Sequence, residues 1–124
     1  MSERDFTRYQ APNGYTVGLD FTGRIDHRAF GHAQVAYYLA RPDGSRVFEG
    51  DDFRTPAHMC ADEPEAATAL LSFLTVQPGD VEEEYFDNYT PEQLAWCQSE
   101  EAEDLSLFAL ELEEGKASWI ELDA

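Results

Sequence analysis

From Tyr15 the chain alternates between apolar and small or polar residues. Tyr15, Val17, Leu19 and Phe21 fall on one side of an extended segment, with Thr16, Gly18, Asp20 and Thr22 on the other. A period of two is the signature of a strand with one face buried. A polar stretch around Asp26-His27-Arg28 follows, and Val35, Tyr37 and Leu39 resume the alternation as a second strand. Arg41-Pro42-Asp43-Gly44-Ser45 then separates that strand from Arg46-Val47-Phe48-Glu49. Proline presets φ for a turn, aspartate suits the position after it, and glycine accepts the left-handed conformation that closes the loop. The segment 34–49 therefore reads as a β-hairpin. Residues 1–13 have no period and read as an N-terminal arm or loop, and Gly50 to Ala61 reads as irregular.

Beyond residue 61 the period lengthens. Asp62 suits a helix cap, with Glu63 and Glu65 near the positive end of the helix dipole. Glu65, Thr68, Ser72 and Thr75 form a narrow polar stripe, while Ala66, Ala67, Leu70, Leu71, Phe73 and Leu74 cover the rest. So wide an apolar surface predicts a helix buried on most sides, packed on the sheet. Gln77-Pro78-Gly79-Asp80 ends it. A second helix opens with Thr90 as cap, Pro91 at the first position and Gln93 placed to reach back. Leu94, Cys97, Leu105, Phe108 and Leu112 extend its apolar face to about Glu114. A strand through Leu105, Leu107, Leu110 and Leu112 is the alternative, and the Ala, Leu and Glu content favours helix. Gly115 is the stop, and Ser118 to Leu122 reads as a last short strand. The expected fold is α+β: a small antiparallel sheet of three to four strands, including the hairpin around 34–49, with two helical segments packed mainly on one face. After the arm, residues 14–124 form a single acidic domain.

Composition sharpens this picture. With 124 residues, 43% of them hydrophobic and 13% aromatic, the chain has enough to bury that it differs from a disordered acidic tail. It contains no apolar run of membrane-spanning length, and its charged start lacks a secretory signal pattern. Cys60 and Cys97 are expected as reduced thiols, and the location as cytoplasmic.

Charge is the dominant feature. Eight basic residues against 26 acidic ones give a net charge of −18. Residues 1–48 are nearly balanced, with Arg4, Arg8, Arg24, Arg28, Arg41 and Arg46 against Glu3, Asp5, Asp20, Asp26 and Asp43. The remaining 21 acids, all beyond residue 48, face only Arg54 and Lys116. Direct binding to nucleic acid or to an anionic membrane is disfavoured, because both need a basic footprint. A basic protein surface is the natural partner. High-salt adaptation would coat the whole surface, whereas this asymmetry points to a directed negative face.

Candidate chemistry is thin. His27, His32, His58, Cys60 and Cys97 are possible metal ligands, yet no paired short spacing of zinc-site type is present. The acidic stretch Asp80 to Asn88 has Tyr85 where a calcium loop needs glycine. No nucleophile elbow, phosphate-binding glycine loop or H-E-x-x-H pattern occurs. No cofactor and no catalytic residue is expected. The candidate site is instead a partner-binding one: Glu82, Glu83, Glu84, Tyr85, Asp87, Tyr89, Glu100, Glu101, Glu103 and Asp104. Tyr85, Phe86, Tyr89 and Trp96 lie among these acids as prospective anchors in a charged rim. In composition alone the chain resembles small acidic proteins of phages and mobile elements that mimic nucleic acid and block host-defence or DNA-binding proteins. That resemblance implies an inhibitor acting on a basic nucleic-acid-binding protein. The alternatives are a small enzyme or metal-binding protein using His and acidic residues, or an accessory subunit of a larger assembly.

Overall fold

The structure, a computed structural model, describes residues 6–27, 32–56, 63–76 and 89–122. Its strands are β1 (Thr7–Gln10), β2 (Thr16–His27), β3 (His32–Ala40), β4 (Arg46–Pro56) and β5 (Ile120–Glu121). Its helices are α1 (Glu63–Leu74), α2 (Pro91–Cys97) and α3 (Glu100–Glu113). The strands form one antiparallel sheet in the order β4-β3-β2-β1-β5, so the expected α+β class holds.

Two turns of one design set the sheet. In Arg41–Ser45 the Gly44 N–H donates to the Arg41 carbonyl at 2.9 Å, and the Arg41 N–H donates to Ser45 O at 2.7 Å. The Asp43 carboxylate accepts from the Ser45 hydroxyl at 2.7 Å and its N–H at 2.8 Å. Those hydrogen bonds, hydroxyl first, hold the Asp43 carboxyl below the usual carboxylate range. Their contribution is therefore present above the ordinary carboxylate pKa and fades as pH falls through the depressed value. Ala11-Pro12-Asn13-Gly14-Tyr15 repeats the geometry, with Gly14 donating to Ala11 at 2.9 Å and Ala11 to Tyr15 at 2.8 Å. Gly14 and Gly44 share a φ of +92°, in the left-handed region.

The first of these turns corrects the reading of residues 7–10 as arm or loop. They form β1, between β2 and β5, with Tyr9 opposite Val17 and Glu121. Four residues are too few to display a period, but they complete the hairpin that Pro12-Asn13-Gly14 closes. Residues 50–56 are likewise strand rather than irregular, with Phe53 opposite Val35. Two register shifts, between Val35 and Tyr37 and between Leu39 and Ala40, interrupt the β3–β4 ladder and hide its alternation from the sequence. The segment around Asp26-His27, expected as polar connection, continues β2 past a shift between Asp20 and Ile25.

One sheet face, carrying Tyr9, Val17, Leu19, Val35, Leu39, Phe48 and Phe53, meets the helices and forms the core. On the other face the Tyr38 ring lies against Gly18, where a Cβ would come within 2.3 Å of it. The Arg46 guanidinium stands 4.1 Å from the Tyr38 ring centroid, and Phe6 packs at 4.9 Å. This cation–π stack lies on the sheet face away from the described helices.

Helix α1 buries Ala66, Ala67, Leu70, Leu71 and Leu74 as its apolar surface predicts. Phe73, expected in the core, is 43% exposed and leans towards Phe53 at 6.3 Å. Thr75, expected on the polar stripe, is only 3% exposed. A stripe spanning ten residues drifts about 80° around a helix of 3.6 residues per turn, which carries Thr75 inward. Its hydroxyl donates to the Leu71 carbonyl at 2.8 Å, so it is buried satisfied. Thr68 and Ser72 are half-buried because they tie α1 to its neighbours. Trp119 Nε1 donates to Thr68 Oγ1 at 3.1 Å, and Ser72 Oγ to Glu113 Oε1 at 3.1 Å. The proposed cap Asp62 and the terminator at 77–80 lie outside the described residues.

Two substitutions test this account. Gly44→Val should lower stability by about 1–2 kcal/mol through backbone strain alone, since open space surrounds the position. An unchanged denaturant midpoint would refute the left-handed turn. Leu71→Ala should cost about 2–5 kcal/mol, measured by urea unfolding, because a fully buried leucine leaves a cavity.

Candidate functional site

The acidic face is built on the α2–α3 unit, and its position follows from two caps. Thr90 Oγ1 accepts from the Gln93 N–H at 3.1 Å, and Gln93 Oε1 accepts from the Thr90 N–H at 3.0 Å, completing the capping box that the sequence predicts. Gln93 Nε2 also donates to the Val47 carbonyl of β4 at 3.0 Å, which fastens the start of α2 to the sheet. One continuous helix was the sequence expectation, but the chain breaks at Gln98-Ser99. The Ser99 hydroxyl accepts from the Ala102 N–H at 3.3 Å and caps a new helix, α3. Serine competes with its own helix through such local bonds, which accounts for the break. At the far end Gly115, with φ +76°, donates to Leu112 at 3.2 Å while Lys116 donates to Glu111 at 2.8 Å, the Schellman arrangement.

The inner side of α3 is fixed by Ala102, Leu105, Phe108 and Ala109, all buried. Phe108 meets Trp119 edge-on at 5.2 Å. The outer side is rich in carboxylates. Glu100, Glu101, Glu103 and Asp104 are exposed in the first turns, and Glu111, Glu113 and Glu114 are exposed at the end. Acids at the N-terminus favour the helix dipole, whereas Glu111 and Glu113 sit at its negative end, where carboxylates are unfavourable by about 0.3–1 kcal/mol each. The helix has no basic residue in its last turn. Among the described residues the one ion pair reaching this region joins Lys116 to Glu114 at 3.4 Å, and it is exposed. Helix stability alone does not account for this charge pattern.

Of the predicted site, Glu100, Glu101, Glu103 and Asp104 are brought together on the first turns of α3. Glu82, Glu83, Glu84, Tyr85 and Asp87 lie outside the described residues, as does Phe86. Of the aromatic anchors, Tyr89 and Trp96 are described, and both pack against the core. Tyr89 is half-buried with its ring edge-on to Phe48 at 5.3 Å. Trp96 is buried, 5.6 Å from Phe48, and its Nε1 donates to the Tyr15 hydroxyl at 3.0 Å. Through these contacts with Phe48 and Tyr15 the two rings hold α2 on the sheet.

The exposed apolar groups among the acids are aliphatic instead. Leu107 is 54% and Leu110 51% exposed, on the side of α3 opposite its core residues. Their signal was in the sequence: they fall out of phase with Leu105, Phe108 and Leu112 on any helical reading. Beside them a cleft of about 330 Å³ opens between α3 and the first turn, lined by Pro12, Asn13, Asp104, Leu107, Phe108 and Glu111 among others.

Among the candidate metal ligands, Cys97 is a buried free thiol whose Sγ lies 3.7 Å from the Leu74 carbonyl, and burial pushes its pKa up. His58 and Cys60 lie outside the described residues. Among the described residues no three His, Cys, Asp or Glu side chains converge to hold a metal, and no helix is long and apolar enough to cross a membrane. No protein family, curated protein or solved structure matches this chain.

Burial together with a raised pKa predicts that Cys97 resists alkylation at mildly alkaline pH in the folded protein and labels fully once unfolded. Mass spectrometry before and after denaturation reads this directly. Rapid labelling of Cys97 in the native state would contradict its place in the core.

Proposed function

We propose that this protein is an acidic protein-binding module or inhibitor. Its negative face engages the basic surface of a nucleic-acid-binding or host-defence protein, in the manner of a nucleic-acid mimic from a phage or mobile element. The observation that carries this reading is the α3 helix, which exposes six carboxylates and no basic side chain while its other side is held in the core. A helix so anchored presents its carboxylates as two groups, on its first turns and its last, at a fixed separation. A basic groove built to receive phosphates meets the same sign and a similar run of acceptors. The near-neutral first 48 residues leave the field directed rather than uniform.

Affinity for such a partner falls as salt shortens the Debye length to about 8 Å at physiological ionic strength. Pull-down at low and high salt should recover basic nucleic-acid-binding proteins only in the former, and duplex DNA should compete for them. Glu103→Gln with Asp104→Asn and Glu111→Gln should weaken capture and leave the melting temperature within a few degrees, because exposed charges contribute little to stability. Salt-independent capture together with an unaffected triple variant would reduce the acidic face to a solvated surface.

A further inference from the structure

Along the outer side of α3, Glu100, Glu103, Leu107, Leu110 and Glu114 follow one another at spacings of three, four, three and four. That alternation is the seam by which one helix receives another, since it keeps a single line of side chains facing the partner. Here the two central positions are leucines more than half exposed, and the positions beyond them are carboxylates. Asp104 and Glu111 border the seam on the side of the cleft, whose opposite wall is the Pro12-Asn13 turn. The inner seam of the same helix is already occupied by the core, so this one is a second and unpartnered face among the described residues.

We propose that this outer seam is a docking site for a basic amphipathic helix of a partner protein. Its apolar side chains cover Leu107 and Leu110, and its Lys or Arg residues meet Glu103, Asp104, Glu111 and Glu114. The proposal rests on the acidic-face reading above and adds what that reading lacks, an apolar anchor. Two leucines alone are a small patch, and the charges alone are a long-range attraction that speeds encounter without fixing register. Together they supply both steps. A second copy of this chain does not fit, because a seam pairing with itself sets carboxylate against carboxylate at its ends in either direction. Among the described residues, the neighbouring cation Lys116 pairs with Glu114 at 3.4 Å in an exposed contact of the kind that contributes little and that an incoming arginine can replace.

The test uses the full chain and two labelled synthetic peptides. One is a helical peptide with leucines at alternating spacings of three and four flanked by lysines; the other has the same lysines with serines in place of leucines. Fluorescence anisotropy should show the leucine peptide binding at least about tenfold more tightly than the serine peptide. Leu107→Ser with Leu110→Ser should abolish that difference while the helical circular dichroism signal is kept and thermal melting falls by only a few degrees, because both side chains are more than half exposed. If the double-serine protein keeps its preference for the leucine peptide, or the parent never shows one, the seam is not the docking site. Equal, salt-sensitive binding of both peptides would overturn the seam and leave the acidic-face reading standing. Binding of neither would remove both.

Discussion

Register along the β meander is the constraint on which the rest of the molecule depends. Side chains alternate between faces with a period of two, so a slip of one residue would send Val17, Leu19, Val35 and Leu39 to the wrong side of the sheet. The two Pro-Asx-Gly turns prevent that slip. Each closes with a glycine in the left-handed region, and they lie side by side at one end of the sheet, close enough that a Cβ on Gly14 would stand 3.1 Å from the Pro42 ring. The helix-facing side then offers a continuous apolar floor, and α1 covers it with Leu70, Leu71 and Leu74. The opposite side is closed differently, by Tyr38 over Gly18 with the Arg46 guanidinium stacked on the ring.

On that floor the α2–α3 unit is held by packing, which leaves its outer surface free to carry charge at some cost. Trp96, Leu105, Phe108 and Ala109 provide the attachment. Mutual repulsion among the α3 carboxylates, and the unfavourable placement of Glu111 and Glu113 against the helix dipole, act in the opposite direction by smaller amounts. Buried area of this kind outweighs several such terms, since burying one large apolar side chain is worth about 1.5–3 kcal/mol. The division of labour within one helix follows: one side supplies stability, the other tolerates a charge arrangement that stability alone does not favour.

Much of this was legible in the residues themselves. The hairpin around 34–49, the capping box at Thr90 and Gln93, the stop at Gly115 and the last strand all carry local signatures that tertiary structure did not override. The misses have local causes as well. Pro12-Asn13-Gly14 repeats the turn chemistry of Pro42-Asp43-Gly44, but β1 is four residues long and offers no period to set beside it. The register shifts in β3–β4 and β2–β3 break the alternation that would have extended β4 to Pro56 and β2 to His27. Ser99 divides a helical pattern that is otherwise unbroken. For the candidate site, acid content was readable but the roles of the described apolar residues were not: Tyr89 and Trp96 pack on the core, and Leu107 and Leu110 stand among the carboxylates. Only the choice of sheet partners for each ring decides that, and it depends on contacts such as Tyr15 with Trp96, distant in the chain.

The contact between Gln93 and the Val47 carbonyl has a consequence for how this sheet meets its surroundings. β4 is an outer strand of eleven residues, and such a border invites another chain to add a strand of its own. At Val47 one carbonyl of β4 is already engaged by the Gln93 side-chain amide, whose oxygen completes the capping box of α2. Among the described residues the far border is β5, two residues long and too short to template growth. A chain that relied on attraction between surfaces would gain little from a sheet able to polymerise. Among the described residues, these two borders leave an added strand less to pair with than a bare edge would.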